Sequence, residues 1–221
     1  MTERQSTDIP EVYQGQFGEF TITEGDRREV MIYRGGLVTA ATSFAVGSGL
    51  LIWFGATPTI LQALTPLFAL FSLGLGVSLL TIHIYLIPLH RMLQMFWLTG
   101  TVAAVALGWQ SPEPLALFVY NHPLTLFGIG FTFAALTGIF FKEAFCFNRL
   151  ETKFLTPVVP MLLLGHMAGV ISVPMERLFL VIWAVSFVVF ALRKTVQAIP
   201  ADIGDKSVFT YLKQQRSAVN S

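Results

Sequence analysis

Four histidines (His83, His90, His122, His166) and one cysteine, Cys146, carry most of the coordination and nucleophilic chemistry that this chain offers. His166 stands in Leu164-Gly165-His166-Met167, near the middle of an apolar segment over 154–173. An imidazole there is costly unless its nitrogens are satisfied, so it is expected to face a partner. That partner is a carbonyl or hydroxyl on a neighbouring helix, or the magnesium or iron of a bound tetrapyrrole taking the neutral nitrogen as axial ligand. Gly165 beside it leaves room for a flat ring. His83 and His90 are seven residues apart on one helical face, with Pro88 between them. Both fall near the charged edge of their segments, where solvation is the leading role, and His83 joins His166 as a candidate pigment ligand. At about 1.5 Å rise per residue, His83 lies roughly 10 Å to one side of the midplane and His166 roughly 4 Å to the other. That separation disfavours one haem held between them. His122 precedes Pro123 and is expected to cap a loop or meet solvent.

Machinery for catalysis is thin. The chain contains no Gly-x-Ser-x-Gly elbow, no His-Glu-x-x-His and no carboxylate pair within an apolar segment. Cys146 has Lys142 and Arg149 nearby, which favour a thiolate, but no histidine is close in sequence. A single cysteine excludes an internal disulfide and a cysteine metal cluster. These features point away from an enzyme, and a net charge of +1 gives no reason to expect nucleic acid.

The elements that would position these residues are membrane spans. The composition is 54% hydrophobic and only 12% charged, whereas about a quarter of the residues of a soluble domain are charged. Six apolar segments, at about 36–55, 66–87, 92–109, 123–141, 154–173 and 178–192, contain no Asp, Glu, Lys or Arg. Each approaches the roughly 20 residues that a helix needs to cross the hydrocarbon. The expected fold is all-α: a polytopic transmembrane bundle of about six spans over 35–194. A polar acidic tail (1–34) precedes it and a polar tail (195–221) follows it. With six spans every Lys and Arg except Arg177 falls on one face, which places both termini in the cytoplasm or stroma. Trp53, Trp109 and Tyr120 are expected at the outer boundary, Tyr33 and Tyr85 at the inner one, and Trp183 as an interfacial anchor.

The leader lacks the short apolar stretch of a signal peptide. Residues 12–23 alternate loosely and suit a short extended ribbon, and Asp26 is expected to cap the first helix. The rows Ala41/Ala45/Gly49 and Gly165/Gly169 suit close helix packing. Leu115–Tyr120 is too short to cross and is expected at the interface, and residues 142–151 should form a charged turn. No Asp, Glu, Lys or Arg sits within these apolar segments, so ion-coupled transport lacks its usual means.

An acidic leader, the Arg27–Gly36 stretch, the Thr137-Gly-Ile-Phe-Phe-Lys-Glu-Ala-Phe-Cys-Phe147 segment and a histidine-bearing fifth span together resemble DUF2301. This is a family of uncharacterised integral membrane proteins of cyanobacteria and plastids. The resemblance carries no catalytic residues and implies a setting, the thylakoid or a related photosynthetic membrane. The function expected is then a non-enzymatic accessory or assembly subunit, docking on a photosystem among membrane lipids. It could hold chlorophyll or carotenoid against its many phenylalanines. The alternative is a passive pore or carrier for a neutral or lipidic solute, along a path lined by Ser and Thr.

Overall fold

A computed structural model describes residues 11–219; Glu3, Arg4 and Asp8 of the acidic leader lie outside them. A hairpin of β1 (Val12–Gly15) and β2 (Gly18–Thr21) comes first, pairing Tyr13 with Phe20. It is the ribbon expected there. Helix α1 (Glu24–Phe54) follows, and its cap is Thr23 rather than Asp26. Thr23 Oγ1 accepts the Asp26 N–H at 3.2 Å, while the Asp26 carboxylate accepts the Thr23 N–H at 2.7 Å. Asp26 is therefore the third residue of a capping box, which satisfies two otherwise unpaired donors at once.

Next come α2 (Pro58–Thr81), α3 (Ile87–Gln110), the short α4 (Leu115–Asn121), α5 (Leu126–Phe147), α6 (Leu150–Met167) and α7 (Val173–Thr195). Two small helices end the chain, α8 (Ile199–Ile203) and α9 (Ser207–Val219). The boundaries move from the expected ones for local reasons. Pro58 opens α2 at its first turn, where a missing N–H costs nothing, so the helix starts eight residues early. Gly169, at φ 65°, ends α6 ahead of 173.

Five of these elements are long and apolar enough to cross a membrane: α1, α2, α3, Pro123–Phe147 and α7. The sixth, α6, has 18 residues and is diluted by Glu151, Lys153, Pro157 and Pro160. At about 27 Å it nearly matches the hydrocarbon thickness. The six long helices close a ring in chain order, each packed on the next and α7 back on α1. At one end of the bundle the two tails meet. Gln16 N–H donates to Asp205 at 2.6 Å, Phe17 N–H to Ser207 Oγ at 3.0 Å, and Lys206 Nζ to Asp26 at 2.7 Å. Termini on one side require an even number of crossings, as the six-span reading expects.

Two backbones approach closely at the α1–α2 crossing. A Cβ on Gly74 would lie 2.6 Å from the Gly36 carbonyl oxygen, and one on Gly36 would lie 2.5 Å from that of Gly74. Small residues do join helices here; of the rows expected, Ala41 is buried in the core, but the glycines do other things. Gly49 has open space around it, Gly165 meets Ile171 just beyond its own helix, and Gly169 is a helix terminator.

Aromatic rings fill the centre of the ring. Trp183 is 2% exposed, with its ring 4.3 Å from Phe44 and edge-on to Phe133 at 5.3 Å. It is no interfacial anchor, because α7 begins at Val173 and places Trp183 at mid-helix. Trp53 and Trp109, at 84% and 90% exposed, do sit at the outer helix ends. Tyr33, expected at the inner boundary, is buried, and Tyr85 turns inward to donate to the Ile203 carbonyl.

Candidate functional site

The charges expected in a turn over 142–151 lie mostly on helix. α5 continues through Phe147, and only Asn148 and Arg149 remain to make the turn, with Asn148 left-handed at φ 53°. Lys142 and Glu143 thus remain in the bundle, and Glu143 is fully buried. Lys194, in the last turn of α7, donates to Glu143 Oε2 at 3.0 Å and also to Asp202 Oδ1. Lys142 Nζ reaches Glu143 Oε1 at 2.9 Å, and the Tyr33 hydroxyl reaches it at 3.4 Å. Arg34 of α1 closes on Asp202 Oδ2 through Nε at 2.9 Å and Nη2 at 2.5 Å. The result is a line of alternating sign, Lys142–Glu143–Lys194–Asp202–Arg34, that ties α5, α7, α8 and α1 at the inner end.

No pair of carboxylates lies within one apolar segment, but Glu143 of α5 and Asp202 of α8, which follows the last span, are both buried in the protein and joined by Lys194. The reason is tertiary: the partners of Glu143 come from α7 and α1. Every oxygen of the two carboxylates is already taken, Asp202 Oδ1 also by Gln197 Nε2 at 3.1 Å. The network offers no open position for a substrate, and its chemistry is that of a seal. Beside it, Arg193 donates to Glu151 at 2.9 Å and Arg149 to the Gln197 side chain. Arg149 Nη1 and Glu151 Oε1 are buried without partners.

The outer end is different. A cavity of about 430 Å³ opens there among apolar side chains such as Leu51, Leu64, Phe133 and Leu180. A smaller space of about 180 Å³ shares those four residues and extends toward Phe44 and Phe71. Polar groups gather at one side of the larger cavity. His166 Nδ1 lies 2.7 Å from Glu176 Oε1, and its Nε2 lies 3.1 Å from the Tyr120 carbonyl. The Tyr120 hydroxyl donates to Glu176 Oε2 at 3.1 Å, and its ring lies against the imidazole at 4.6 Å. Burial and the Glu176 carboxylate push the Tyr120 phenol above its ordinary pKa. Arg177 also lines the cavity.

His166 therefore stands in the last turn of α6 and not near the middle of a span, since α6 ends at Met167. Both partners of its ring accept hydrogen bonds, so both nitrogens donate only as imidazolium. A metal ligand would need one of them released. His83 lies between α2 and α3, with Nε2 3.4 Å from Glu29 and 4.0 Å from Asp26. Burial holds its pKa below the ordinary value against the pull of these carboxylates. The structure does not bring His83 and His166 together. His90 meets the Leu79 carbonyl at 2.6 Å, and His122 meets that of Phe118 at 2.9 Å, closing the end of α4. Cys146 is exposed. Among the described residues no three His, Cys, Asp or Glu side chains converge as a metal site.

Sequence reasoning missed Glu143, Lys194 and Asp202. One signal was present. Glu143, Glu151 and Asp202 fall on the same face as nearly all the Lys and Arg, where opposite charges find partners.

The family of uncharacterised integral membrane proteins designated DUF2301 matches residues 77–211. The chain belongs to this family. The DUF2301 match spans Lys142–Phe147, His166, Glu176, Lys194 and Asp202, while the hairpin and α1, with Arg34, precede it. The Arg27–Gly36 stretch and the leader therefore lie outside the likeness they were expected to carry. No curated protein and no solved structure matches this DUF2301 chain.

Proposed function

We propose that this DUF2301 protein is a non-enzymatic membrane subunit that holds one lipidic or pigment molecule with a polar head in its outer-end cavity. The observation that carries the reading is the cavity itself: apolar walls with one polar corner, built from Tyr120, His166, Glu176 and Arg177. Binding sites for small amphiphiles have this composition, apolar surface for affinity and a few polar groups for orientation. A carbonyl head would accept from Arg177 and a hydroxyl head would donate to the Tyr120 phenol oxygen, whose own proton is on Glu176, while the tail would follow the aromatic side chains inward. Holding is favoured over passing, because aromatic rings fill mid-height and the ion-pair line fills the inner end. Ser and Thr side chains inside the bundle mostly bond helix carbonyls or one another, as Thr137 does to Phe133 at 2.8 Å and Ser72 to Thr101 at 2.8 Å.

The setting proposed is the photosynthetic membrane implied by the family resemblance, with chlorophyll or carotenoid as the occupant class and a photosystem as the complex served. Purification of the tagged chain from its own membranes in mild detergent tests this. Near-stoichiometric pigment or lipid in an organic extract, depleted in Leu180→Trp and Glu176→Gln, supports the reading, and co-purifying photosystem subunits support the setting. A chain that elutes empty and alone refutes both.

A further inference from the structure

Arg149 is a cation with no carboxylate partner among the described residues. Its Nη2 bonds the Gln197 amide, its plane rests 5.7 Å from the Phe147 ring, and its Nη1 is buried with nothing to donate to. Lys142 and Lys194 crowd the same ring at 5.4 and 4.7 Å. Around it four cations (Arg34, Lys142, Arg193, Lys194) are paired with three carboxylates (Glu143, Glu151, Asp202), and none of these pairs includes Arg149. An uncompensated guanidinium N–H held out of water is costly unless something negative completes it.

A space of about 550 Å³ adjoins this group between the α5–α6 turn and the α7–α8 turn, lined by Asn148, Arg149, Arg193 and Gln197. We propose that it is a binding site for a phosphate-type anion, with Arg149 as its fork, Arg193 at its rim and Gln197 holding Arg149 in place. A guanidinium presents parallel N–H groups that match a phosphate oxygen pair. The first turn of α6 has no side-chain cap, and its acidic residue, Glu151, is already held by Arg193 at 2.9 Å, so free backbone amides remain beside Arg149. A lipid headgroup is the favoured source. Leu150 and Val196 stand 67% and 83% exposed beside the space, placed for acyl chains, and basic pockets at inner helix ends hold anionic headgroups in this way.

The full-length chain in nanodiscs or detergent tests the assignment by thermal shift and native mass spectrometry. The probes are phosphatidylglycerol against phosphatidylcholine in one arm and inorganic phosphate in the other. Phosphatidylglycerol should stabilise the wild type and remain bound, and Arg149→Gln should weaken this roughly tenfold or more, the scale of a charge-assisted pair. Should Arg149→Gln not fold, Arg149→Lys and Arg193→Gln give the same reading with smaller losses. Arg149-dependent binding in the inorganic arm alone assigns the site to free phosphate. Binding in neither arm overturns the proposal, as does an equal loss in Arg91→Gln, which would show only a diffusely basic face.

Discussion

Lys194 shows what burial does to a charge. Its ammonium is fully enclosed between Glu143 and Asp202, and Asp202 is in turn held by Arg34. The attraction inside such a line is offset by the cost of desolvation, so the line is weak grounds for net stability, yet removal of one member strands its partners. Lys194→Met should therefore lose about 3–5 kcal/mol. The Arg193–Glu151 pair has the same chemistry, but the arginine is 54% exposed. Arg193→Ala leaves the 8% exposed Glu151 without this partner and should lose about 1–3 kcal/mol, less than Lys194→Met. Denaturant titration of the two variants in one detergent checks the contrast, and equal losses would remove the argument. His83 supplies a pH dependence. Burial keeps its folded-state pKa below the ordinary value near 6.5, and it outweighs Glu29 and Asp26, with Lys142 and Lys206 adding to the lowering. The unfolded chain thus takes up a proton that the folded one resists. Stability is whole above the ordinary pKa and falls as pH drops through it toward the lower folded value. His83→Gln should flatten the fall in melting temperature between about pH 7 and about pH 5.

At the scale of elements, the α1–α2 crossing sets the tolerance of the bundle. Gly74 faces the Gly36 carbonyl, a backbone atom that cannot step aside, so Gly74→Val should abolish assembly of a monodisperse protein. Gly49 has no neighbour within 4 Å, and Gly49→Ala should leave the melting temperature unchanged or slightly raised. Size-exclusion profiles and melting curves compare them directly. This contrast also shows what could be read in advance. Apolar stretches mark where helices run, because lipid forces every backbone group into an internal bond. They do not mark which glycines meet, since Gly36 and Gly74 belong to different helices and no spacing within one helix reveals the pair. The same limit explains Trp183 and Glu143. A segment cut at its first charge ends at residue 141, whereas α5 continues because Lys194, distant in sequence, waits beside Glu143. His166 was legible as a residue needing a partner, but not as a member of an outer-end group with Tyr120 and Glu176.

At the scale of the whole molecule, the two ends do different work, and sidedness connects them. The charge-rich end joins the hairpin, α8 and α9 over the ion-pair line, while Trp53 and Trp109 surround the end with the apolar cavity. By the excess of Lys and Arg, the first of these is expected to face the cytoplasm. That assignment decides which leaflet could feed each space: the cavity beside His166 would draw from the outer leaflet, and the basic space beside Arg149 from the inner. Cys146 is exposed and lies in the last turn of α5, close to Arg149 at the charge-rich end. Ser111 closes α3 at the opposite end. In sealed vesicles of known orientation, a membrane-impermeant maleimide should label Cys146 from the cytoplasmic side only. In Cys146→Ser carrying Ser111→Cys, label should enter from the other side only. Reversal of both would invert the orientation and exchange the leaflets while leaving the bundle intact. Labelling of both cysteines from one side would break the even count of crossings, and with it the ring in which α7 returns to α1.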